Sequence, residues 1–206
     1  MNLKIIYEDN DLLVIDKPDG INSDDFEKRI HRLDKDTSGI LLVAKSDKAL
    51  DFFQKQFKNR KVIKKYLALV VGNVKTNKGK IETLMGRSLK DRKKQKVYLM
   101  NEPDAQRKGL RKAITNYKVI KKYKDYTLVE AEPKTGRKHQ IRCHLAYLGY
   151  PIAGDKIYGF KNQPIPKELK RQFLHASSIR IKMPNDEIKE FKSQLPEDLK
   201  KILCQP

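Results

Sequence analysis

The chain has 206 residues, enough to bury a substantial core in one or two compact units. Its 46 lysines and arginines outnumber 26 acidic residues, and the resulting formal charge of +20 is typical of proteins that bind polyanions. Hydrophobic residues make up 38% of the chain and lie in regular runs, which excludes a disordered protein. No apolar run approaches the ~20 residues that a membrane span requires, and Cys143 and Cys204 form no C-x-x-C motif. We therefore expect a cytoplasmic protein that binds nucleic acid and no membrane.

Apolar periodicity predicts a chain of strands with scattered helices. The turn Asp9-Asn10-Asp11 separates the first two strands, the turn Pro18-Asp19-Gly20 closes the second, and a polar loop over Ile21–Ile30 leads to His31. The predicted strands are Leu3–Glu8, Leu12–Lys17, Ile40–Lys45, Ile63–Gly72, Ala113–Tyr123, Tyr126–Ala131 and Phe173–Met183. Helices are predicted after Ser46, with Ala49, Leu50, Phe53 and Phe57 on the core face, and over Lys138–Leu148 and Glu197–Leu203. This order favours an α+β fold over alternating βαβ units.

The middle of the chain, Lys75 to Lys112, differs in character because basic residues cluster there and apolar residues are few. The pattern is equally compatible with a solvated basic loop or irregular hairpin and with an arm that faces the substrate.

The segment His31-Arg32-Leu33-Asp34-Lys35-Asp36-Thr37-Ser38-Gly39 passes directly into the apolar run Ile40–Ala44. Most of its residues are good turn formers, so an ordinary polar turn is one interpretation. The alternative is a catalytic loop, since a buried strand holds such a loop rigidly.

Several chemistries are excluded by missing motifs. The chain has no P-loop, no Gly-x-Gly-x-x-Gly, and no histidine pair at metallohydrolase spacing. A catalytic Ser38 would need a histidine base that one sequence cannot place. A carboxylate nucleophile remains, with Asp34 the best candidate. An anion in a cleft needs a cationic partner, and the guanidinium of Arg142 is the right kind of group.

Five segments, in order, resemble the motifs of the RluA-type RNA pseudouridine synthases, and the similarity spans roughly Leu3 to Leu203. The His31–Gly39 segment resembles the catalytic motif of that family. The other four are Leu12-Leu13-Val14-Ile15-Asp16-Lys17-Pro18, Lys65-Tyr66-Leu67-Ala68-Leu69-Val70-Val71-Gly72, Thr135-Gly136-Arg137-Lys138-His139-Gln140-Ile141-Arg142-Cys143-His144-Leu145 running on to Gly154-Asp155, and Leu174-His175-Ala176.

The resemblance implies a mixed, largely antiparallel central sheet with flanking helices and a central catalytic cleft. It also implies a reaction in which a uridine in folded RNA is detached from its sugar at N1, rotated and rejoined through C5, with no cofactor or metal. By position, Asp34 is the expected nucleophile and Arg142 its partner. Tyr66 is expected to pack on the target base and is a candidate to assist the removal of the C5 proton.

The resemblance further marks His31, Arg32 and Arg137 as substrate-binding residues. Arg32 either fills the gap left by the flipped base or contacts a phosphate. The basic segment Arg87–Lys96 is a candidate for sequence-independent phosphate contacts. The expected partner is structured RNA, ribosomal more than transfer RNA, bound by a monomer.

Two departures from the family bear on RNA selection. Only the ten residues of Ile21–Ile30 separate Gly20 from His31, where typical members carry a longer segment. The chain is also expected to be a single catalytic domain, residues 1–206, without the small basic RNA-binding module of many relatives.

Two competing hypotheses remain. One is a catalytically silent RNA-binding or ribosome-assembly protein of the same fold. The other is a metal-dependent nuclease that uses Asp34 and Asp36, although the chain offers no further ligand cluster at a suitable spacing. Intact Asp34, Tyr66 and Arg142 argue against the silent protein.

Overall fold

The structure is a computed structural model that describes residues 3–204, which form ten strands and three α-helices. The helices are α1 (Asp47–Lys58), α2 (Gln140–Tyr147) and α3 (Glu197–Leu203). The strands are β1 (Lys4–Glu8), β2 (Leu12–Lys17), β3 (Ser38–Ala44), β4 (Ile63–Val71), β5 (Lys78–Arg87), β6 (Gln95–Tyr98), β7 (Arg111–Lys122), β8 (Tyr126–Pro133), β9 (Leu174–Lys182) and β10 (Ile188–Lys192). Within this described part of the chain, no helix is both long and apolar enough to cross a membrane.

The chain divides into two compact units, and β4 passes from one to the other after Tyr66. The first unit comprises residues 3–66 and 174–201. In it β2 pairs antiparallel with β1 and β3, β3 pairs in parallel with β9, and β9 pairs antiparallel with β10. Helix α1 begins at the predicted cap, because Ser46 Oγ accepts a hydrogen bond from the Ala49 amide at 3.1 Å. The α1 side chains Ala49 and Phe53 are buried against apolar residues of β2, β3 and β9.

The second unit comprises residues 67–173 and 202–204. Its strand β7 pairs antiparallel with both β5 and β8, and β5 pairs antiparallel with β6. Helix α2 contacts β6, β7 and β8. The buried His144 of α2 lies 2.9 Å from Thr115 Oγ1 of β7 and 3.1 Å from Thr83 Oγ1 of β5. This imidazole fastens α2 to two strands, and burial lowers its pKa to about 4, so that it stays neutral at pH 7.

The predicted fold class, mixed α and β with largely antiparallel pairing, is confirmed. Every predicted strand and helix is present, with ends shifted by a few residues. The treatment of Lys75–Lys112 as a solvated loop was wrong for its first part, since β5 is a regular ten-residue strand. The hairpin interpretation agrees with the antiparallel pairing of β5 and β6, and the substrate-facing arm stays a prediction. Its buried residues Ile81, Thr83 and Met85 alternate with less buried neighbours, and the charges of Lys80 and Glu82 among these neighbours obscure the strand in the sequence. Strand β10 was also missed, because only Phe191 of its five residues is buried.

Candidate active site

The backbone on both sides of Asp34 is tied to neighbouring loops. The hydroxyl of Ser23 accepts a hydrogen bond from the Leu33 amide at 2.9 Å and donates one to the Leu33 carbonyl at 3.0 Å. The Thr37 amide donates to the Asp34 carbonyl at 3.0 Å, which closes a turn before β3. Leu33 is buried while Asp34 is half-buried, so the loop is anchored and its carboxylate lies at the surface of the unit.

A second anchor is the fully buried ammonium of Lys17. It donates to the carbonyls of Pro18 at 2.8 Å, Ile21 at 2.9 Å and Lys35 at 3.1 Å. The Lys35 carbonyl, which directly follows Asp34 in the chain, also accepts from the Gly20 amide at 3.0 Å. A buried cation is tolerated when oxygen acceptors surround it. Lys17 therefore joins the turn after β2 to the loop that carries Asp34.

The Asp34 loop ends in a Ser–His contact that the sequence alone could not place. Ser38 Oγ lies 3.0 Å from His175 Nδ1, and His175 Nε2 lies 3.2 Å from the Ser193 carbonyl. A carbonyl can only accept, so Nε2 carries the proton and Nδ1 accepts the hydroxyl proton of Ser38. Both residues are buried, with at most 2% of either exposed. This serine is therefore a strand-to-strand tie between β3 and β9, and its geometry does not favour a nucleophile for a large substrate.

Gly39 permits the close contact between the same two strands. Its φ of +112° is unfavourable for other residues, and a Cβ there would lie 2.3 Å from the Ala176 carbonyl oxygen.

Tyr66 lies on β4, and its phenol is within electrostatic reach of the Asp34 carboxylate. Burial, and then the negative charge of Asp34, raise the pKa of Tyr66 far above its usual value near 10. The phenol is therefore neutral at pH 7, a flat aromatic surface with a hydroxyl that can donate. The expectation that Asp34 and Tyr66 belong to one catalytic site stays a prediction, as do their catalytic roles.

His31, at the start of the loop, is held by contacts with other residues of the protein. Its Nε2 accepts a hydrogen bond from the Leu42 amide at 3.2 Å, and its ring stacks on Phe57 at 5.0 Å between centroids. Burial and the nearby positive charge of Lys64 lower the pKa of His31 to about 3. A neutral imidazole in this position orients the loop, and the predicted contact of His31 with substrate stays a prediction.

Arg32, which follows His31 on the loop, projects into solvent. Its Nη2 lies 3.7 Å from Asp24 Oδ2, and the other oxygen of Asp24 pairs with Arg29 at 2.7 Å. The Arg32 side chain is 60% exposed. Such exposed ion pairs contribute about 0–1 kcal/mol, so a phosphate could displace Asp24 from Arg32 at little cost.

In the second unit, Arg142 of α2 forms a buried bidentate ion pair with Asp155. Its Nε lies 2.7 Å from Asp155 Oδ2 and its Nη2 lies 2.8 Å from Oδ1, with the side chains 5% and 0% exposed. Its guanidinium also lies over the ring of Tyr158, 5.3 Å from the centroid. Burial alone would raise the pKa of Asp155, but the hydrogen bond and charge of Arg142 and two backbone amides outweigh it and lower that pKa. Arg142 is thus held in one orientation by a fully charged partner.

The loop before α2 is shaped by the side-chain amide of Gln140. Its Oε1 accepts from Thr135 Oγ1 at 2.7 Å and from the Arg137 amide at 3.0 Å, while its Nε2 donates to the Ile114 carbonyl at 2.9 Å. His139 takes a left-handed φ of 55° just before the helix. The guanidinium of Arg137, another predicted substrate contact, donates through Nε to the Lys112 carbonyl at 3.0 Å. Arg137 therefore lies half-exposed at the edge of the unit near β7.

Sequence reasoning missed three charged residues near these groups: Lys17, Lys64 and Asp155. Lys17 and Asp155 fall inside the motifs that carry the family resemblance, which was the available signal. Lys64 had none, because a lysine on an exposed strand end is ordinary. The predicted pairing of Asp34 with Arg142 stays a prediction. Among residues 3–204, no three His, Cys, Asp or Glu side chains are grouped to hold a metal ion, so the nuclease hypothesis finds no ligand set there.

A half-buried carboxylate beside a neutral phenol is a site for nucleophilic or acid–base chemistry on an aromatic substrate, in a protein with a large positive charge. These features favour an enzyme that acts on nucleic acid. The sequence profile described as RNA pseudouridylate synthase matches residues 24–147, and the chain belongs to this family. The predicted family and its class of reaction, isomerisation of uridine in RNA, are thereby confirmed.

Individual relatives agree with this assignment. The chain is 36% identical to an uncharacterised RNA pseudouridine synthase of Bacillus subtilis, over 98% of this chain and 72% of the relative. It is 35% identical to the ribosomal large subunit pseudouridine synthase D of Borreliella burgdorferi, over 94% of this chain and 65% of the relative. The solved structure of human RNA pseudouridylate synthase domain containing 1 superimposes with a TM-score of 0.83 at 28% identity, covering 98% of this chain and 87% of the human one.

Proposed function

We propose that this chain is an active RNA pseudouridine synthase that isomerises uridines in structured RNA, ribosomal RNA more than transfer RNA, as a monomer in the cytoplasm. The observation that carries the proposal is the pinned loop that holds Asp34 beside the neutral phenol of Tyr66. The preference for ribosomal RNA is supported by the name of the Borreliella relative.

In the proposed reaction, the N1–C1′ bond of the target uridine breaks and a C5–C1′ bond forms. The proton on C5 leaves and N1 gains a proton, so no oxidant, reductant or other co-reactant is consumed. Asp34 attacks either the sugar or the ring and is released when the new bond has formed. The loop that carries Asp34 is fixed on both sides by hydrogen bonds, which supports its role as a positioned nucleophile.

Tyr66 is proposed to stack on the flipped uracil, which compensates for the few kcal/mol that base flipping costs. Aromatic stacking supplies about 1–3 kcal/mol per base. Because the phenol of Tyr66 is neutral at pH 7, it can take the C5 proton only if its own proton leaves first. The high pKa therefore supports stacking and hydrogen bonding as its resting role.

Arg142 is proposed to pair with Asp34. Asp155 occupies the Nε–Nη2 edge of its guanidinium, and the opposite edge suits a second carboxylate in the same plane. The pairing would make Arg142 the electrostatic partner that a nucleophilic aspartate needs.

The tip of the β5–β6 hairpin is proposed as a phosphate-binding arm. Two hydrogen bonds order this tip. The Ser88 amide donates to the Lys94 carbonyl at 3.0 Å, and the Lys93 amide donates to Asp91 Oδ1 at 2.9 Å. Lys90, Arg92 and Lys93 are exposed on it. Within residues 3–204 these three side chains form no ion pair with a carboxylate, so their charges are available to RNA.

The decisive experiment compares Asp34→Asn with Asp36→Asn, the same change two residues along the loop. Purified proteins are incubated with ribosomal RNA transcripts, and pseudouridine is mapped together with transcript length. We expect Asp34→Asn to abolish isomerisation while RNA binding is retained, and Asp36→Asn to stay active. Pseudouridine made by Asp34→Asn would refute the assignment of the nucleophile. RNA binding without pseudouridine from the wild type would support the silent protein, and shortened transcripts would support the nuclease.

A further inference from the structure

Lys64 is a cation on β4 that has no anionic partner among the described residues. Its side chain is half-buried, and its Nζ lies 5.6 Å from the centroid of the Phe57 ring. It also stands close enough to His31 to lower the pKa of that imidazole. Among residues 3–204 it has neither an ion pair with a carboxylate nor a hydrogen-bond acceptor.

The position of Lys64 relates it to the proposed reaction centre. Lys64 and Tyr66 are two residues apart on one strand, so their side chains project from the same face about 7 Å apart. The pKa of Tyr66 is influenced by Asp34, and the pKa of His31, three residues before Asp34 on the same loop, is influenced by Lys64. Strand β4 therefore places the Lys64 ammonium on the same face as Tyr66, whose phenol is within electrostatic reach of Asp34.

A half-buried cation without a carboxylate is a costly arrangement. Burial lowers the pKa of Lys64 to about 8, which shows that no nearby anion offsets its desolvation. Contact with the Phe57 face gives a partly exposed ammonium only about 0.5–1 kcal/mol. The Nζ still reaches solvent, since no buried side-chain nitrogen in the described residues lacks a partner. An anion that binds here would restore the lost stabilisation.

We propose that Lys64 is a further substrate-binding residue of this site, and that its ammonium holds a backbone phosphate next to the uridine that faces Asp34 and Tyr66. A phosphate is the anion that every nucleotide brings, and lysine binds it as a point charge. The contact would fix the nucleotide's backbone while Tyr66 supports its base. This inference rests on the proposed function.

The test compares Lys64→Met, which keeps the aliphatic stem, with Lys64→Arg, which keeps the charge. Lys61→Met is the matched control, because Lys61 is exposed three residues earlier. For Lys64→Met we expect KM for an RNA substrate to rise about tenfold with kcat nearly unchanged. The slope of log affinity against log salt should fall by about 0.7, the value for one single-strand phosphate contact. Lys64→Arg should restore both quantities.

A merely structural Lys64 would give a different result. If Lys64→Met keeps the KM and salt slope of Lys61→Met, then Lys64 only covers Phe57 and the inference is overturned. Should Lys64→Met fail to fold, Lys64→Gln provides the same comparison. Failure of the proposed function is separate, because it appears as absence of pseudouridine with the wild-type protein. The salt slope of RNA binding would still report on Lys64 in that case.

Discussion

The buried ion pair of Arg142 and Asp155 gives a quantitative prediction for Asp155→Asn. An asparagine Oδ1 can still accept from the amides of Ile157 and Tyr158, which Asp155 Oδ1 holds at 2.9 and 3.1 Å. The charge is lost, however, and the new amide N–H groups face the Arg142 donor at Nε. With side-chain exposures of 5% and 0%, removal of one partner should cost about 3–5 kcal/mol. For a chain of this size that corresponds to a fall in Tm of roughly 6–20 °C.

The assay is urea unfolding and thermal melting followed by far-UV circular dichroism, because the chain has no tryptophan. Asp186→Asn is the matched control, since Asp186 is 82% exposed and pairs with Lys182 at the surface, where we expect a change of about 0–1 kcal/mol. Arg142→Met combined with Asp155→Asn should lose less than the two single changes together. A single Asp155→Asn change that costs no more than the control would refute the reasoning.

The same pair predicts a dependence of stability on pH. The folded-state pKa of Asp155 lies below its ordinary value of 3.8, so the unfolded chain binds more protons between the two values. The stabilisation is therefore complete above about pH 4 and is lost as the pH falls toward the folded pKa. Asp155→Asn should remove this part of the acid transition, and an unchanged acid limb would contradict it.

Two further predictions concern the strand contact and the hairpin tip. Gly39→Ala should destabilise the protein by about 2–4 kcal/mol, because it adds a clash with the Ala176 carbonyl to an unfavourable φ, whereas Gly20→Ala, with a φ of +79° and no atom within 4 Å, should cost only about 1 kcal/mol; equal losses in thermal melting would refute the clash. Reversing the three exposed charges of the hairpin tip (Lys90, Arg92 and Lys93) should lower the salt slope of RNA binding by about 2, while the same reversal at Lys48, Lys58 and Lys61 should not; equal effects would remove the specific role of the arm.

Strand and helix identities were readable from the sequence wherever burial leaves a periodic signal. β2, β3 and β9 bury nearly every second residue or more, and Ser46 forms the helix cap that its position predicts. β5 and β10 were not found, since lysines and glutamates occupy their solvent faces and the apolar half of the alternation is short. Intrinsic β-propensity does not favour such strands. β5 is defined by its pairing with β7, and β10 by its pairing with β9.

The candidate site likewise has residues that the sequence predicts and contacts that it does not. Asp34, Tyr66 and Arg142 could be named from motifs, because the resemblance carries them position by position. The contacts that fix the Asp34 loop could not be derived, because they join residues well separated in the chain, such as Lys17 with Lys35 and Ser38 with His175. The role of His31 shows the limit most clearly, since the sequence cannot reveal that its Nε2 serves the Leu42 amide.

Lys17 and Arg142 are two of the buried cations, and their contacts show how a site is fixed in place before substrate binds. Lys17 is surrounded by three carbonyls and Arg142 by a carboxylate and an aromatic ring, so each satisfies its desolvation within its own unit. Neither charge depends on substrate, and both keep their neighbours in place before RNA binds. Lys64 differs because none of the described residues offers its ammonium an anion. Of these three cations, Lys64 is therefore the one for which binding of a substrate phosphate would bring the largest gain.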